Sequence, residues 1–389
     1  MRNNSVFITG LGAVSAAGSD VAETLNSFRH GKRNAGQVTL FDTPLKYPVF
    51  EVKRVPDEFF WDGQRTLSLA LCAVHEALKK ARLDDLSEFR VGVCLGTTVA
   101  SQLNDLEFYT SYRNTGSAPI AAADRYLKGN PAEFISRKLI AKGPSLTVVN
   151  ACSSGTDAIG VALSWLNNGL CDIAIAGGAD ELNRIPLCGF ASLGIMSMEL
   201  CAPFDRDRKG LNLGEGAGIL VLETKNSMLK RGVTSDLYLA GYGSSSDAYH
   251  LTAPHPEGIG LKTSINKALN DSGIAPHEIS FVNAHGTATH DNDLVEGNVL
   301  ASLFGKDLKM LSTKGFTGHT LGAAGGLEAV FTAAGLREGW IPASVGFINK
   351  DDAILLIPVR EKTNIAGRYA VSTSLAFGGN NAAIVIGKV

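Results

Sequence analysis

The stretch Leu146-Thr147-Val148-Val149-Asn150-Ala151-Cys152-Ser153-Ser154-Gly155 joins an apolar run to a helix-like pattern through a turn of small residues. Leu146–Val149 is typical of a short strand inside a sheet, and Gly155–Leu166 carries apolar residues at helical spacing. The small residues beside Cys152 permit a sharp turn and let a ligand approach its sulfur. A strand, a turn and a helix in this order predict an α/β fold with a cysteine after a strand end.

Outward from this stretch, short apolar runs alternate with helical patterns along the chain. Helical spacing predicts further helices over Thr66–Ala81 and Gly258–Leu269. Such alternation predicts layered α/β sheets whose strands are covered by helices on both faces. The predicted strands share a short length and a high Val/Ile content; they are Val6–Thr9, Val91–Leu95, Leu146–Val149, Ile173–Ala176, Gly218–Leu222, Leu237–Ala240, Ile279–Val282 and Ala382–Ile386.

The chain is long enough for one large or two ordinary globular units, with 389 residues of which 45% are hydrophobic. The strand pattern restarts at Leu237, so we predict two halves, residues 1–235 and residues 236–389. Val-Asn-Ala precedes Cys152 in the first half and His285 in the second. Short matches arise by chance, so this pair is a hint of duplication and no more.

The overall charge gives no sign of a nucleic-acid or membrane partner. The formal net charge is −2, so no global basic field exists. No apolar run approaches the ~20 residues that a membrane helix needs. The cysteines form no CxxC pair, which predicts neither a zinc motif of that kind nor a disulfide framework. We therefore expect a soluble, reduced, cytoplasmic protein.

Cys152 stands where a strand gives way to a helix. Backbone N–H groups and the positive end of the helix macrodipole favour a thiolate at such a place, so we predict a lowered thiol pKa and a nucleophilic role. The alternative is a buried cysteine without chemistry. That alternative is our interpretation of Cys72, Cys94 and Cys171, which lie on an apolar helix face or in or beside strands.

His285 follows a predicted strand end, where α/β sheets usually carry function. Gly286 leaves room for a ligand beside it. Thr287 and Thr289 stand at alternate positions, which suits hydrogen bonding to an extended polar chain. These features indicate a binding site next to His285.

Lys314 and His319 precede a segment rich in glycine and alanine that continues as a helix. The positive end of that helix favours a neutral imidazole at His319, which can donate a hydrogen bond to an oxyanion. A structural role for both residues remains the alternative. The glycine-rich loop at Phe377-Gly378-Gly379 suits an oxyanion hole built from backbone N–H groups.

A metal site, a phosphate loop and a dinucleotide fold are alternatives that the sequence leaves incomplete. Asp291 and Asp293 follow His285, but beyond His290 no further ligand stands near, so we expect no metal. No Lys-Ser/Thr pair follows the glycine-rich loop, which argues against a phosphate cradle. Gly10-Leu11-Gly12 lacks the third glycine of a dinucleotide-binding turn.

Taken in chain order, these motifs resemble the β-ketoacyl-[acyl-carrier-protein] synthases of the thiolase superfamily, over essentially the whole chain. The resemblance implies an α/β thiolase-like fold with two duplicated halves in a five-layer αβαβα arrangement, and a dimer. The motifs that carry it are Val6–Gly12, Asn150–Gly155, Ala176–Asp180, Pro203–Asp205 with Gly214–Gly218, Ser245–His250, the two histidine segments and the loop at Phe377.

The resemblance also implies a reaction. Cys152 accepts an acyl group as a thioester, and malonyl carrier protein then binds and loses carbon dioxide. His285 and His319 stabilise the resulting enolate, which attacks the thioester. The backbone N–H groups of Cys152 and Phe377 hold the oxyanion. No free cofactor is implied, because the substrates travel on the phosphopantetheine arm of acyl carrier protein.

Supporting roles follow from the same resemblance. Lys314 is expected to orient His319 and tune the local field, with Glu328 supporting that network. Thr287 and Thr289 resemble the threonines that bind pantetheine. Phe377, followed by Gly378 and Gly379, matches the family's gate between the acyl pocket and its opening.

The chain departs from the family pattern in the gate loop and near one ion site. Leu375 and Ala376 stand where phenylalanine and glycine are usual, and Asn380 replaces a threonine. The Cβ of Ala376 restricts φ, so gate motion is expected to differ. Thr373 stands where related enzymes often have asparagine near a structural cation, so we do not predict that ion.

Two other functions remain as alternatives. A non-condensing subunit resembling a chain-length factor typically lacks the cysteine, which is present here. A degradative thiolase should carry a second catalytic cysteine near the C-terminus, and none follows Cys201. Fatty acid and polyene or polyketide pathways both stay open, as do a homodimer and a heterodimer with a ketosynthase-like subunit.

Overall fold

The computed structural model describes residues 5–98, 100 and 106–389. Within them, the strands of the N-terminal half are β1 (Val6–Ser15), β2 (Val91–Gly96), β3 (Ser145–Val148), β4 (Ile173–Asp180) and β5 (Gly216–Thr224). The main strands of the C-terminal half are β6 (Leu237–Ser246), β7 (Ile279–Asn283), β8 (Lys309–Leu311), β11 (Tyr369–Ala376) and β12 (Asn380–Lys388). A small separate pair consists of β9 (Trp340–Ile341) and β10 (Thr363–Asn364).

The helices alternate with these strands. Those of the N-terminal half are α1 (Val21–Arg29), α2 (Arg65–Ala81), α3 (Leu106–Thr115), α4 (Ile120–Lys128), α5 (Pro131–Leu139), α6 (Ser154–Asn167), α7 (Arg184–Ser192) and α8 (Lys225–Lys230). Those of the C-terminal half are α9 (Ile259–Ser272), α10 (His290–Phe304), α11 (Lys314–Thr317) and α12 (Ala324–Glu338). In the part of the chain that is described, none of them combines the length and apolar character of a bilayer span.

The two halves repeat one topology. The N-terminal sheet has the order β3-β2-β4-β5-β1 and the C-terminal sheet the order β8-β7-β11-β12-β6. In each, the first three strands are parallel and the last two antiparallel to their neighbours. The sheets join where β1 pairs with β6, through Val6 with Leu239 and Phe7 with Tyr238. The predicted duplication of an α/β unit is therefore confirmed.

The layers stack as predicted. Helices α6 and α12 lie between the sheets in the largest apolar cluster, which draws on both halves. Helix α2 covers the outer face of the N-terminal sheet, and α9 and α10 cover that of the C-terminal sheet. The result is the five-layer αβαβα arrangement. The exact division at residue 235 stays a prediction; it falls in the segment between α8 and β6.

The expectation of strands covered on both faces is wrong for β3. This strand ends the N-terminal sheet, and its side chain Leu146 is 44% exposed. Its neighbour Val149, just past the strand, is 66% exposed. The other predicted strands are present, and each is longer than predicted.

Gly12 shows why β1 needs small residues. A Cβ placed there would lie 1.9 Å from the carbonyl oxygen of Ala73 in α2, because the helix packs directly on the strand backbone. We expect Gly12→Ala to lower the free energy of unfolding by about 3 kcal/mol, since backbone must move to relieve the overlap. Urea denaturation measures the change.

Gly36→Ala is the matched control, because a Cβ there meets open space. It should leave the unfolding midpoint nearly unchanged. Equal midpoints for the two variants would contradict the packing argument.

Candidate active site

Cys152 sits in a tight turn between β3 and α6, which we call the Cys152 elbow (residues 150–154). Ala151 has φ of 49°, a left-handed conformation that costs a non-glycine residue about 1–2 kcal/mol. Ser154 stabilises the turn: its hydroxyl donates to the Ala151 carbonyl and accepts from the Asn150 N–H. Cys152 itself is only 4% exposed. The predicted sharp turn is therefore present, and it carries the sulfur into the interior.

His319 meets Cys152 from the other half of the molecule. Its Nε2 atom lies 3.1 Å from Cys152 Sγ. The backbone holds His319 on both sides, because its N–H donates to the Asn212 carbonyl and its carbonyl accepts from the Gly214 N–H. The sulfur and this imidazole thus form a buried, hydrogen-bonded pair.

His285 lies beside this pair, just after β7. Its ring centre is 5.2 Å from that of His319, and the two rings are almost perpendicular. The buried carboxylate of Glu296 accepts from the backbone N–H groups of His285 and Gly286. Thr373 also donates its hydroxyl to Glu296. These contacts fix the loop that presents His285.

Lys314 lies behind the histidines and contacts His285. Its Nζ atom is 3.0 Å from His285 Nδ1, donates to the His285 carbonyl at 2.6 Å, and contacts the carboxylate of Glu328. We expected Lys314 to orient His319 and tune the local field; the histidine that it contacts is His285, and its charge lowers the pKa of His319. Since the ammonium group donates to Nδ1, the proton of neutral His285 resides on Nε2.

Both imidazoles are neutral. Burial, followed by the charge of Lys314, holds the pKa of His285 and of His319 well below its ordinary value. The neutral state of His319 agrees with the sequence-based expectation. Its main cause is desolvation, however, whereas we had expected the positive end of a helix.

The prediction of a lowered thiol pKa is wrong. Burial raises the pKa of Cys152 to about 12, although the charge of Lys314 and the N–H of Phe377 oppose that change. Desolvation penalises the thiolate more than these groups favour it. The resting pair is therefore a thiol beside a neutral imidazole.

A cavity of about 380 Å³ opens onto this pair. The predicted catalytic and binding residues in its wall are Cys152, His285, His319, Thr287, Thr289 and Phe377. Phe190 also lines it and was missed by sequence reasoning; its ring stacks on Phe377 with centres 5.5 Å apart. No motif marks Phe190, which sits on α7 among small residues.

Some predicted site residues lie outside the cavity wall. Lys314 and Glu328 form the charged pair behind it. Gly378 and Gly379 have φ of 85° and 79°, so each adopts a conformation that glycine permits at no steric expense. Both tie the gate loop to the segment after β6, since Gly378 donates to the Leu251 carbonyl and Gly379 accepts from the Asp247 N–H.

Four buried side-chain oxygen atoms lack a hydrogen-bond partner within the described ranges: Asn283 Oδ1, Thr313 Oγ1, Glu328 Oε2 and Ser372 Oγ. Asn283 and Ser372 are paired across β7 and β11, and Asn283 donates to the Glu328 carbonyl. Oxygen atoms are the ligands that hard cations take. The absence of a metal thus stays a prediction for this chain.

A thiolase-like fold that buries a cysteine and two neutral histidines in one cavity defines a class of acyl-transferring condensing enzymes. Residues 3–227 match the family described as Beta-ketoacyl synthase, N-terminal domain, and residues 238–348 match Beta-ketoacyl synthase, C-terminal domain. The chain belongs to the β-ketoacyl synthase family.

Individual relatives and solved structures are consistent with this family assignment. The chain is 34% identical to 3-oxoacyl-[acyl-carrier-protein] synthase 2 of Staphylococcus aureus (strain N315), over 100% of this chain and 99% of that protein. A structure described as the ishigamide ketosynthase/chain length factor matches with a TM-score of 0.92 and 32% identity, covering 99% of each chain. The ketosynthase complex AntDE:AntF, which includes a type II PKS acyl-carrier protein, matches with a TM-score of 0.90 and 26% identity, covering 99% of each chain.

The raised thiol pKa predicts how Cys152 reacts with iodoacetamide. The rate should rise about tenfold per pH unit and continue rising beyond pH 9, because the thiolate fraction keeps increasing below the pKa. Intact-mass spectrometry measures the rate, in a Cys188→Ser background that removes an exposed thiol. A plateau below about pH 8 would indicate the lowered pKa that we first expected.

Proposed function

We propose that the chain is a β-ketoacyl-[acyl-carrier-protein] synthase that condenses an acyl group on Cys152 with a malonyl group carried by acyl carrier protein. The observation that carries this proposal is the 3.1 Å contact between Cys152 Sγ and His319 Nε2, with the His285 ring facing the same cavity. This arrangement supplies a nucleophile in Cys152, a proton acceptor in His319 Nε2, and a neutral hydrogen-bond donor to an oxyanion in His285 Nε2.

The first half-reaction loads the acyl group. Cys152 passes its proton to His319 as the sulfur attacks the thioester carbonyl of acyl carrier protein. The backbone N–H groups of Cys152 and Phe377 stabilise the oxyanion. This role is supported by the hydrogen bond between the Phe377 N–H and the Cys152 sulfur, which lowers the pKa of the thiol. The carbon–sulfur bond to pantetheine then breaks, and its sulfur takes the proton back from His319.

The second half-reaction makes the carbon–carbon bond. Malonyl thioester loses carbon dioxide, and the electrons of the broken carbon–carbon bond form an enolate. The enolate oxygen accepts a hydrogen bond from Nε2–H of His285, and from His319 when the proton of its neutral ring is on Nε2. The enolate carbon attacks the Cys152 thioester, and the sulfur leaves as a thiolate that takes a proton from solvent once the product departs. Lys314 favours the His285 tautomer that has its proton on Nε2.

The substrates arrive on a carrier protein, in this proposal, so no free cofactor is needed. Thr287 and Thr289 line the cavity and share a 2.9 Å hydrogen bond, which supports a role in holding the pantetheine arm. The AntDE:AntF complex, in which an acyl-carrier protein is bound to its ketosynthase, supports the same kind of partner. A cytoplasmic location stays a prediction.

The chain is also proposed to pair with a second ketosynthase-like chain through β3. Among the described residues, no strand pairs with its outer edge, and Leu146 and Val149 expose apolar surface there. The likeness to a ketosynthase/chain length factor assembly supports either an identical or a related partner. The alternative of a non-condensing subunit is disfavoured, because the nucleophile and both histidines are present in one cavity.

Replacing Cys152 should separate the two half-reactions. Cys152→Ala is expected to reduce condensation by more than about 1,000-fold, because no thioester can form. Decarboxylation of malonyl carrier protein should persist, since it needs the histidines and not the sulfur. Product analysis and carbon dioxide release measure the two activities. Full condensing activity would end the nucleophile assignment.

His285→Ala should impair the decarboxylation of malonyl carrier protein, which Cys152→Ala leaves intact. Carbon dioxide release is expected to fall about 100-fold or more, because an oxyanion donor is lost. His277→Ala, at an exposed histidine, is the matched control and should keep the wild-type rate. An unchanged rate in His285→Ala would remove its proposed role.

A charge on the β3 edge should disrupt the pairing. Leu146→Asp is expected to give monomers in sedimentation velocity, because the carboxylate would be desolvated in the interface. Leu229→Asp alters a similarly exposed leucine on α8 and should leave the dimer intact. A Leu146→Asp dimer as stable as the wild type would locate the interface elsewhere.

A further inference from the structure

Asp157 is a buried carboxylate next to the Cys152 elbow that the proposed mechanism does not use. It lies in the first turn of α6 and is 5% exposed. Asn150 Nδ2 donates to its Oδ2 atom at 2.6 Å, and the Ser153 hydroxyl donates to the same atom at 2.7 Å. These donors stand on either side of Cys152, so one carboxylate spans the turn that holds the sulfur.

The other oxygen of Asp157 reaches the C-terminal half. The hydroxyl of Tyr242, on β6, donates to Asp157 Oδ1 at 2.7 Å. Burial and the neighbouring carboxylate raise the pKa of Tyr242, so the phenol stays protonated and remains a donor. The elbow is thereby tied to a strand of the opposite sheet.

The absence of a side chain at Gly160 leaves space for the Tyr242 ring. A Cβ at Gly160, one turn along α6 from Asp157, would lie 2.5 Å from the Tyr242 ring. The side chain therefore passes through a gap in the helix surface. A second tie joins the same helix to β11, where Thr156 Oγ1 and Ser374 Oγ are 2.8 Å apart.

The elbow needs such restraint. Ala151 holds a positive φ, and strained backbone persists only where its surroundings determine it. The sulfur must also stay within hydrogen-bond distance of His319, which belongs to the C-terminal half although its backbone bonds to Asn212 and Gly214 of the N-terminal half. A link from the elbow to β6 fixes the position of one partner relative to the half that carries the other.

We propose that Asp157 and Tyr242 are positioning residues for Cys152, holding its elbow in register with His319 across the two halves. The hydrogen bonds of Asp157 go to Asn150, Ser153 and Tyr242, so it acts on the elbow through geometry. This inference rests on the proposed function, because it concerns the step in which Cys152 takes up the acyl group.

Tyr242→Phe tests the proposal by removing one hydroxyl. We expect kcat for acyl transfer from acyl carrier protein to Cys152 to fall at least about tenfold with KM unchanged, because a small misplacement of reacting groups is costly. Carbon dioxide release from malonyl carrier protein should stay at the wild-type rate, since that step does not use the sulfur. Asp157→Asn, which keeps the shape but weakens the acceptor, should show the same split.

Tyr238→Phe is the matched control on the same strand. Its hydroxyl is paired with Tyr369 and packs against Gly387, away from the elbow. This variant should retain both rates, and the circular dichroism of all variants should match the wild type.

Several outcomes would overturn the proposal. Unchanged acyl transfer in Tyr242→Phe and Asp157→Asn would do so, and so would an equal fall in acyl transfer and carbon dioxide release, which indicates a general folding defect. If Tyr242→Phe does not fold, Asp157→Asn alone decides by the same criteria. Absence of both activities in the wild type would instead contradict the proposed function.

Discussion

The contact between the sulfur of Cys152 and the imidazole of His319 joins two duplicated halves, and its length is set by how closely their central helices approach. At the start of α6, a Cβ on Gly155 would lie 2.6 Å from the backbone nitrogen of Gly326 in α12. At the end of β4, a Cβ on Gly178 would lie 2.4 Å from the Gly322 carbonyl oxygen. Backbone meets backbone at this junction, so any larger side chain there would push the nucleophile and the histidine apart.

Close approach also removes water, and the electrostatics of the site follow from that. Cys152, His285 and His319 are all buried, and desolvation is the largest influence on each of their pKa values. The dry interior keeps the imidazoles neutral and the sulfur protonated, with the Lys314–Glu328 pair held behind them. The sulfur and the substrate oxygen therefore become charged only during the reaction, when oriented N–H groups can stabilise that charge most.

Periodicity and turn chemistry made much of the fold predictable. Buried strands rich in Val and Ile were found because they read as unbroken apolar runs. Strand β8 was missed because it spans only Lys309–Leu311, and β11 because Ser372, Thr373 and Ser374 interrupt its apolar run. Both pair with β7 through long-range contacts that no local pattern encodes.

The same limit applies to the site. Residues in compact motifs, such as Cys152 and His285, could be singled out because a reactive side chain follows a strand end. Phe190 and Tyr242 could not, since each reaches the centre from an element without a motif. The state of the thiol was misjudged for a related reason: helix position is visible in a sequence, whereas the depth of burial that outweighs it is not.

A sulfur that rests as a thiol has a consequence for survival between turnovers. Peroxide and electrophilic metabolites attack thiolates, so a protonated, enclosed sulfur resists conversion to sulfenic and sulfinic acid. In the proposed mechanism, the anion that reacts at neutral pH forms chiefly while Cys152 attacks a bound thioester and His319 takes its proton. Substrate binding thus activates the nucleophile. Without substrate, the enzyme is protected from oxidative damage by the same desolvation that makes its resting sulfur unreactive.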